Sequence, residues 1–317
     1  MCPSRFGSPF TPASKGLTLI ELVVVLAILA ALAGVAVRSL EPIADQARHE
    51  STQKDLNNIE QAYLNGSTTG GSNLSYSGFL ADVGRLPQSV GVDAERWLSE
   101  LWENPGLPNY SIANFNDPNT TEDESSRTNN PILVASGWRG PYLLLPPGSN
   151  TLRDGYGRPM VCLNSSGGVI AAAGAEIASV VSSGSNGLLD ASDVGYQRDL
   201  PLPGGAWNAS RIEGAIPVRV TLADGISPPT INSGERILAR VYGPQNGTAA
   251  VLAEIELSSG TVPEFGGTLA GIVAGPRVVR VIKVSGSTPN ESIVSESLVR
   301  QLMVVPGMNS EIVLRLP

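Results

Sequence analysis

Glu21 is a single carboxylate inside an otherwise uncharged apolar run, residues 17–37 (LTLIELVVVLAILAALAGVAV), behind a leader whose charged side chains are Arg5 and Lys15. The chemistry open to such a group is ion pairing. A carboxylate on a lone helix in lipid costs about 2.5–3.5 kcal/mol on insertion scales, so Glu21 calls for a specific partner or a functional role. Other reactive residue types are sparse. His49 is the only histidine and Cys2 and Cys162 are the only cysteines. His49 falls on a helical stretch, where a solvated or interfacial role is expected rather than general-base work. No His-based triad, P-loop, dinucleotide fingerprint or Cys/His zinc spacing is present, so no catalytic activity is expected.

Stepping outward from Glu21, residues 17–37 would form about 31 Å of helix, enough to cross a hydrocarbon core. The basic leader, free of acids, would stay cytoplasmic while the remainder is exported. Two plainer readings of the same residues are a secretory signal cut near Ala31-Leu32-Ala33 and a simple single-pass anchor. After Val37, Leu40, Ile43, Ala47, Leu56, Ile59 and Tyr63 recur mostly at three- and four-residue steps, while Arg48, Glu50, Lys54, Asp55 and Glu60 occupy the other face. This is an amphipathic helix to about Leu64, stopped by Asn65-Gly66, with Pro42 expected to kink or loosen it.

The chain has 317 residues, 35 Gly and 24 Pro, which suits two modest exported domains rich in turns behind one anchor. Its net charge of −8 becomes −10 once residues 1–16 are removed, because they hold two basic side chains and no acid. No nucleic-acid partner is expected on such a background. Cys2 leaves with the leader, and Cys162 alone cannot form an intramolecular disulfide.

Lys15-Gly16-Leu17-Thr18-Leu19-Ile20-Glu21 resembles the leader junction of type IV prepilins and type II secretion pseudopilins. The resemblance implies cleavage after Gly16 by prepilin peptidase and methylation of the new Leu17 amine. It also implies assembly through Glu21, the fifth mature residue, pairing with the N-terminus of an adjacent copy. Leu17 stands where phenylalanine is commoner, and the leader is longer than many.

Three further stretches resemble the G-type (major) pseudopilins. They are Asp82-Val83-Gly84-Arg85-Leu86-Pro87 with the following Trp97 to Trp102, the pair Gly137 to Leu143 and Asp154 to Pro159, and residues 182–193 (SSGSNGLLDASD). The first two read physically as turns and core aromatics that identify a fold, not an active site. The third resembles that family's calcium loop. There the Asn186 amide, the Asp190 and Asp193 carboxylates and free carbonyls would supply oxygens to Ca, with Asp199 in reserve. The departures are Asn186 for an aspartate and Tyr156 for a tryptophan, and an Asn-Gly turn with solvated acids explains the same loop.

Residues 109–131 are polar and read as an exposed, mobile insertion. Pro201-Leu202-Pro203-Gly204-Gly205 opens a linker over 201–210. Residues 211–317 show six or seven short strand patterns, an antiparallel sandwich of immunoglobulin- or transthyretin-like type. The expected fold is therefore α+β. A membrane and stalk helix (17–65) packs on a pilin-like head with a small antiparallel sheet (66–200), and the all-β sandwich follows. By the resemblance the protein is a subunit of a type II secretion pseudopilus or related filament in the bacterial inner membrane, single-pass, with its C-terminal region periplasmic. Its partners would be copies of itself, minor pseudopilins, prepilin peptidase, a platform protein with a cytoplasmic ATPase, and an outer-membrane secretin. The alternative is a minor surface pilin whose sandwich binds a ligand.

Overall fold

A computed structural model describes residues 18–64, 77–91, 93–125, 127–190, 192–259 and 265–317, with the side chains of residues 35–40, 94, 258 and 259 also outside the description. Gly16, Leu17, the rest of the leader and the helix stop at Asn65-Gly66 lie outside the described residues. The chain divides into two units, residues 1–47 and 48–317.

The long helix α1 (Leu19–Leu64) supplies all of the described structure of the first unit except Thr18. Leu22, Val23, Val24, Val25, Leu26, Ile28 and Leu29 are all about half exposed, so no face of this segment is polar. A helix apolar all round requires an apolar environment. Among the described residues no helix is long and apolar enough to cross a membrane. The expected span includes Leu17 and residues 35–37, whose side chains are not described, and the remaining 18–34 make about 26 Å of helix against a core of about 30 Å. Helical structure runs through Pro42 without a break, so the proline removes one backbone bond but does not end the element.

In the second unit α1 is amphipathic as its spacing predicts: Leu56, Ile59 and Tyr63 are buried at three- and four-residue steps. They pack with α2 (Phe79–Val83) and with Trp97, Leu98, Leu101, Met160, Cys162, Ile177 and Val180 in one core. Strands β1 (Ser111–Asn114) and β2 (Leu133–Ser136) pair antiparallel. Strands β3 (Val161–Leu163), β4 (Ser179–Ser182) and β5 (Leu200–Pro201) form a small antiparallel sheet.

Residues 201–210 do not form the expected linker. Leu202 and Trp207 are buried in the core with α1, the Trp207 ring lies 4.1 Å from that of Tyr63, and the Trp207 amide donates to Ala178 O. Arg211 pairs with Glu60 of α1. The chain then enters the turn α3 (Ala209–Ile212) and strands β6 (Glu213–Leu222), β7 (Glu235–Gln245), β8 (Thr248–Glu256), β9 (Ser258–Ser259), β10 (Phe265–Val273) and β11 (Gly275–Ser285). Strands β12 (Ser292–Glu296), β13 (Arg300–Val304), β14 (Gly307–Met308) and β15 (Ile312–Leu316) complete it.

One sheet runs β14-β6-β10-β9 with β15 also on β6, and the other runs β12-β11-β7-β8 with β13 also on β11. The alternate residues Ile216, Val218 and Val220 of β6, Ile237, Ala239 and Val241 of β7, and Val279 and Val281 of β11 meet in a shared core. The opposite face of β7 and β11 is buried too. Ile132, just before β2, and Val134 within it pack on Tyr242 and Val278, and the insertion before β2 covers Arg240 and Arg280. The insertion is therefore a clamped strap, not the mobile loop its polarity suggested, because its acids answer buried arginines. Head and sheets belong to one compact unit.

Candidate functional site

Glu21 lies in the first turn of α1, three residues after Thr18. The Thr18 amide and hydroxyl donate to Glu21 Oε2 at 2.8 and 2.9 Å, and the Glu21 amide donates to Thr18 Oγ1 at 3.3 Å. This is a reciprocal capping box, which satisfies backbone donors that the start of a helix leaves without partners. Sequence reasoning assigned Glu21 only a role between subunits. The Thr-x-x-Glu spacing was the signal that it also closes its own helix. Oε1 accepts no hydrogen bond among the described residues, so one carboxylate oxygen remains available.

The two turn motifs lock the head. Asp82 is buried, accepts from Tyr142 OH at 3.1 Å and pairs with Arg139 Nε at 3.0 Å, which joins the first motif to the second. Burial pushes its carboxyl up to about 6 despite Arg139 and Tyr142. Arg85 forks onto Glu100 with two contacts of 2.8 Å, and Trp138 Nε1 donates to Glu100 O at 2.9 Å. Gly84 sits at φ +76°, and an added Cβ would lie 1.8 Å from Pro244 O, so this position tolerates only glycine. Asp154 accepts from the Tyr156 and Arg158 amides and from Ser182 Oγ at 2.6 Å, and Arg158 reaches Gly184 O. The second motif thereby positions the loop over 182–193.

Within that loop Asn186 Nδ2 donates to Asp193, Asn186 Oδ1 accepts from the Leu188 amide, and Asp190 Oδ1 accepts from the Ser192 amide and hydroxyl. The Ser192 bonds hold Asp190 below the usual carboxylate range. Among the described residues no group of three or more His, Cys, Asp or Glu side chains is arranged to hold a metal ion. The expected ligands Asn186, Asp190 and Asp193 are all engaged in contacts within the loop. Asp199 differs. Its Oδ1 is buried without a hydrogen-bond partner, and burial together with the Asp193 and Asp190 charges pushes its carboxyl up, against a backbone bond from Asp190.

The remaining reactive side chains are placed structurally. Cys162 is buried in the head core and burial pushes its thiol up to about 12, which keeps it inert. His49 packs edge-on against Tyr196 at 5.6 Å and its Nε2 meets Gln53.

The prokaryotic N-terminal methylation motif matches residues 12–37, which bracket Gly16, Leu17 and Glu21. No curated protein and no solved structure matches the chain. The matched motif indicates a type IV pilin-like protein that is processed as a prepilin and anchored in a membrane.

Proposed function

We propose that this chain is a structural subunit of a type II secretion pseudopilus or closely related pilus-like filament. Prepilin peptidase cuts after Gly16, Leu17 is methylated, and residues 17–37 hold the subunit in the inner membrane with the remainder periplasmic. The observation that carries the reading is Glu21, four residues after Leu17, within the matched methylation motif. Its available Oε1 pairs with the amine of an adjacent copy, so the cost of a carboxylate in lipid is relieved only on assembly. A platform protein and cytoplasmic ATPase drive that step, minor pseudopilins join it, and an outer-membrane secretin receives the filament. The work is mechanical and the subunit is not an enzyme.

The G-type assignment is supported by the way its motifs interlock: Asp82 on Arg139 and Tyr142, and Asp154 and Arg158 on the loop over 182–193. Calcium at that loop belongs to the same reading, supported by the orphaned Asp199 oxygen beside Asp190 and Asp193. A surface pilin with a binding module is the second reading. It is favoured by the size of the region after residue 211 and by exposed apolar side chains there, Ile226, Leu298 and Met308. Removing the gene separates the two. Exported proteins that accumulate in the periplasm identify a pseudopilus, and loss of surface filaments with normal secretion identifies a pilus.

A further inference from the structure

Arg240 and Arg280 are register partners on adjacent antiparallel strands, β7 and β11, and both are fully buried. Like charges directly opposite one another are destabilising, and a buried charge requires a counter-charge. Glu254 and Glu291 on Arg240 and Glu296 on Arg280 supply part of it, and the strap before β2 supplies two more acids. Glu124 holds Arg280 with contacts of 2.5 and 3.2 Å, and Asp117 Oδ2 accepts from Arg240 at 3.0 Å and from Tyr242 OH at 2.8 Å. Among the described residues from 116 to 130, these two acids are the only buried side chains, so the strap has no apolar core of its own. Its backbone is held by polar contacts as well: the Thr121 amide on Glu291 O at 2.9 Å, and the Glu124 amide on Asn116 Oδ1 at 2.9 Å.

We propose that the strap is a charge-operated latch that closes over the β7-β11 face and opens as a unit while both apolar cores stay folded. A segment without an apolar core, held by ion pairs and polar contacts, is attached through groups that water can satisfy once it opens, and removing Glu124 leaves Arg280 with Glu296 at 3.0 Å and Asp117 at 3.6 Å as its remaining carboxylates among the described residues. The test is amide hydrogen exchange on the full chain, comparing wild type with Glu124→Gln and with Glu254→Gln. Glu254 serves as control because it pairs with Arg240 from β8, outside the strap. Glu124→Gln is expected to speed exchange at the amides of Thr121 and residue 124 by at least tenfold and leave β7, β11 and residues 48–64 unchanged. Glu254→Gln is expected to leave the strap as in wild type. The proposal is overturned if Glu124→Gln leaves strap protection intact, if β7 and β11 accelerate by the same factor, or if Glu254→Gln frees the strap equally.

Discussion

Thr18 and Glu21 cap each other across the first turn of α1, with both Thr18 donors on one carboxylate oxygen, Oε2. Helix closure therefore uses Oε2, and the pairing between subunits proposed above would use Oε1. Glutamine preserves the first and abolishes the second, since Glu and Gln both serve at this position of a capping box. Glu21→Gln is expected to reduce crosslinked multimers as severely as Glu21→Ala while leaving export and folding of the second unit normal. Multimers at the wild-type level in Glu21→Gln would assign the residue to capping alone.

Gly84→Ala is expected to destabilise the protein strongly. The new methyl would meet Pro244 O where the head turn abuts the β7-β8 hairpin, and φ +76° adds about 1 kcal/mol or more of backbone strain. Thermal melting of the variant checks this. A transition within a degree of wild type would show that the hairpin is free to move away from the head.

Deleting residues 206–317 is expected to leave a head that does not fold, because Trp207, Ile212 and Ala274 leave the core built on Tyr63 and Phe79. Loss of one buried tryptophan alone costs about 3–5 kcal/mol. Protease nicking near Pro203 should accordingly leave the two fragments associated on a sizing column. A stable, separately folded fragment after nicking would show two independent domains.

Calcium is expected to raise the melting transition of a soluble form comprising residues 48–317. At about 100 times its dissociation constant, an ion bound only to the folded state adds roughly 2.7 kcal/mol. Asp199→Asn should abolish the increase and, by removing one repelling charge, raise the calcium-free transition. Identical melts with calcium and with chelator would leave the loop over 182–193 as a turn with solvated acids.

The apolar stripe of residues 48–64 was legible because Leu56, Ile59 and Tyr63 obey helical spacing and nothing competes with it. Six of the strands after residue 211, β6, β7, β8, β11, β13 and β15, were legible from short apolar or alternating runs, whereas β10 and the shorter β9, β12 and β14 were not. What the sequence concealed was long-range charge matching. Arg240 and Arg280 interrupt apolar strands, and only the fold shows that Asp117 and Glu124, more than a hundred residues earlier, answer them. Trp207 was concealed by its setting, since Pro201-Leu202-Pro203-Gly204-Gly205 has the composition of a linker, yet the Leu202 amide donates to Val180 O and the Trp207 amide to Ala178 O. At the N-terminus the Thr18-x-x-Glu21 spacing alone predicts the cap.

The mature N-terminus tests the central claim most directly. Intact-mass and peptide mass spectrometry of the membrane fraction is expected to find a chain that starts at Leu17 and carries one methyl group on its amine. A terminus near Gly34, or an intact leader from Met1, would contradict processing as a prepilin and with it the filament role.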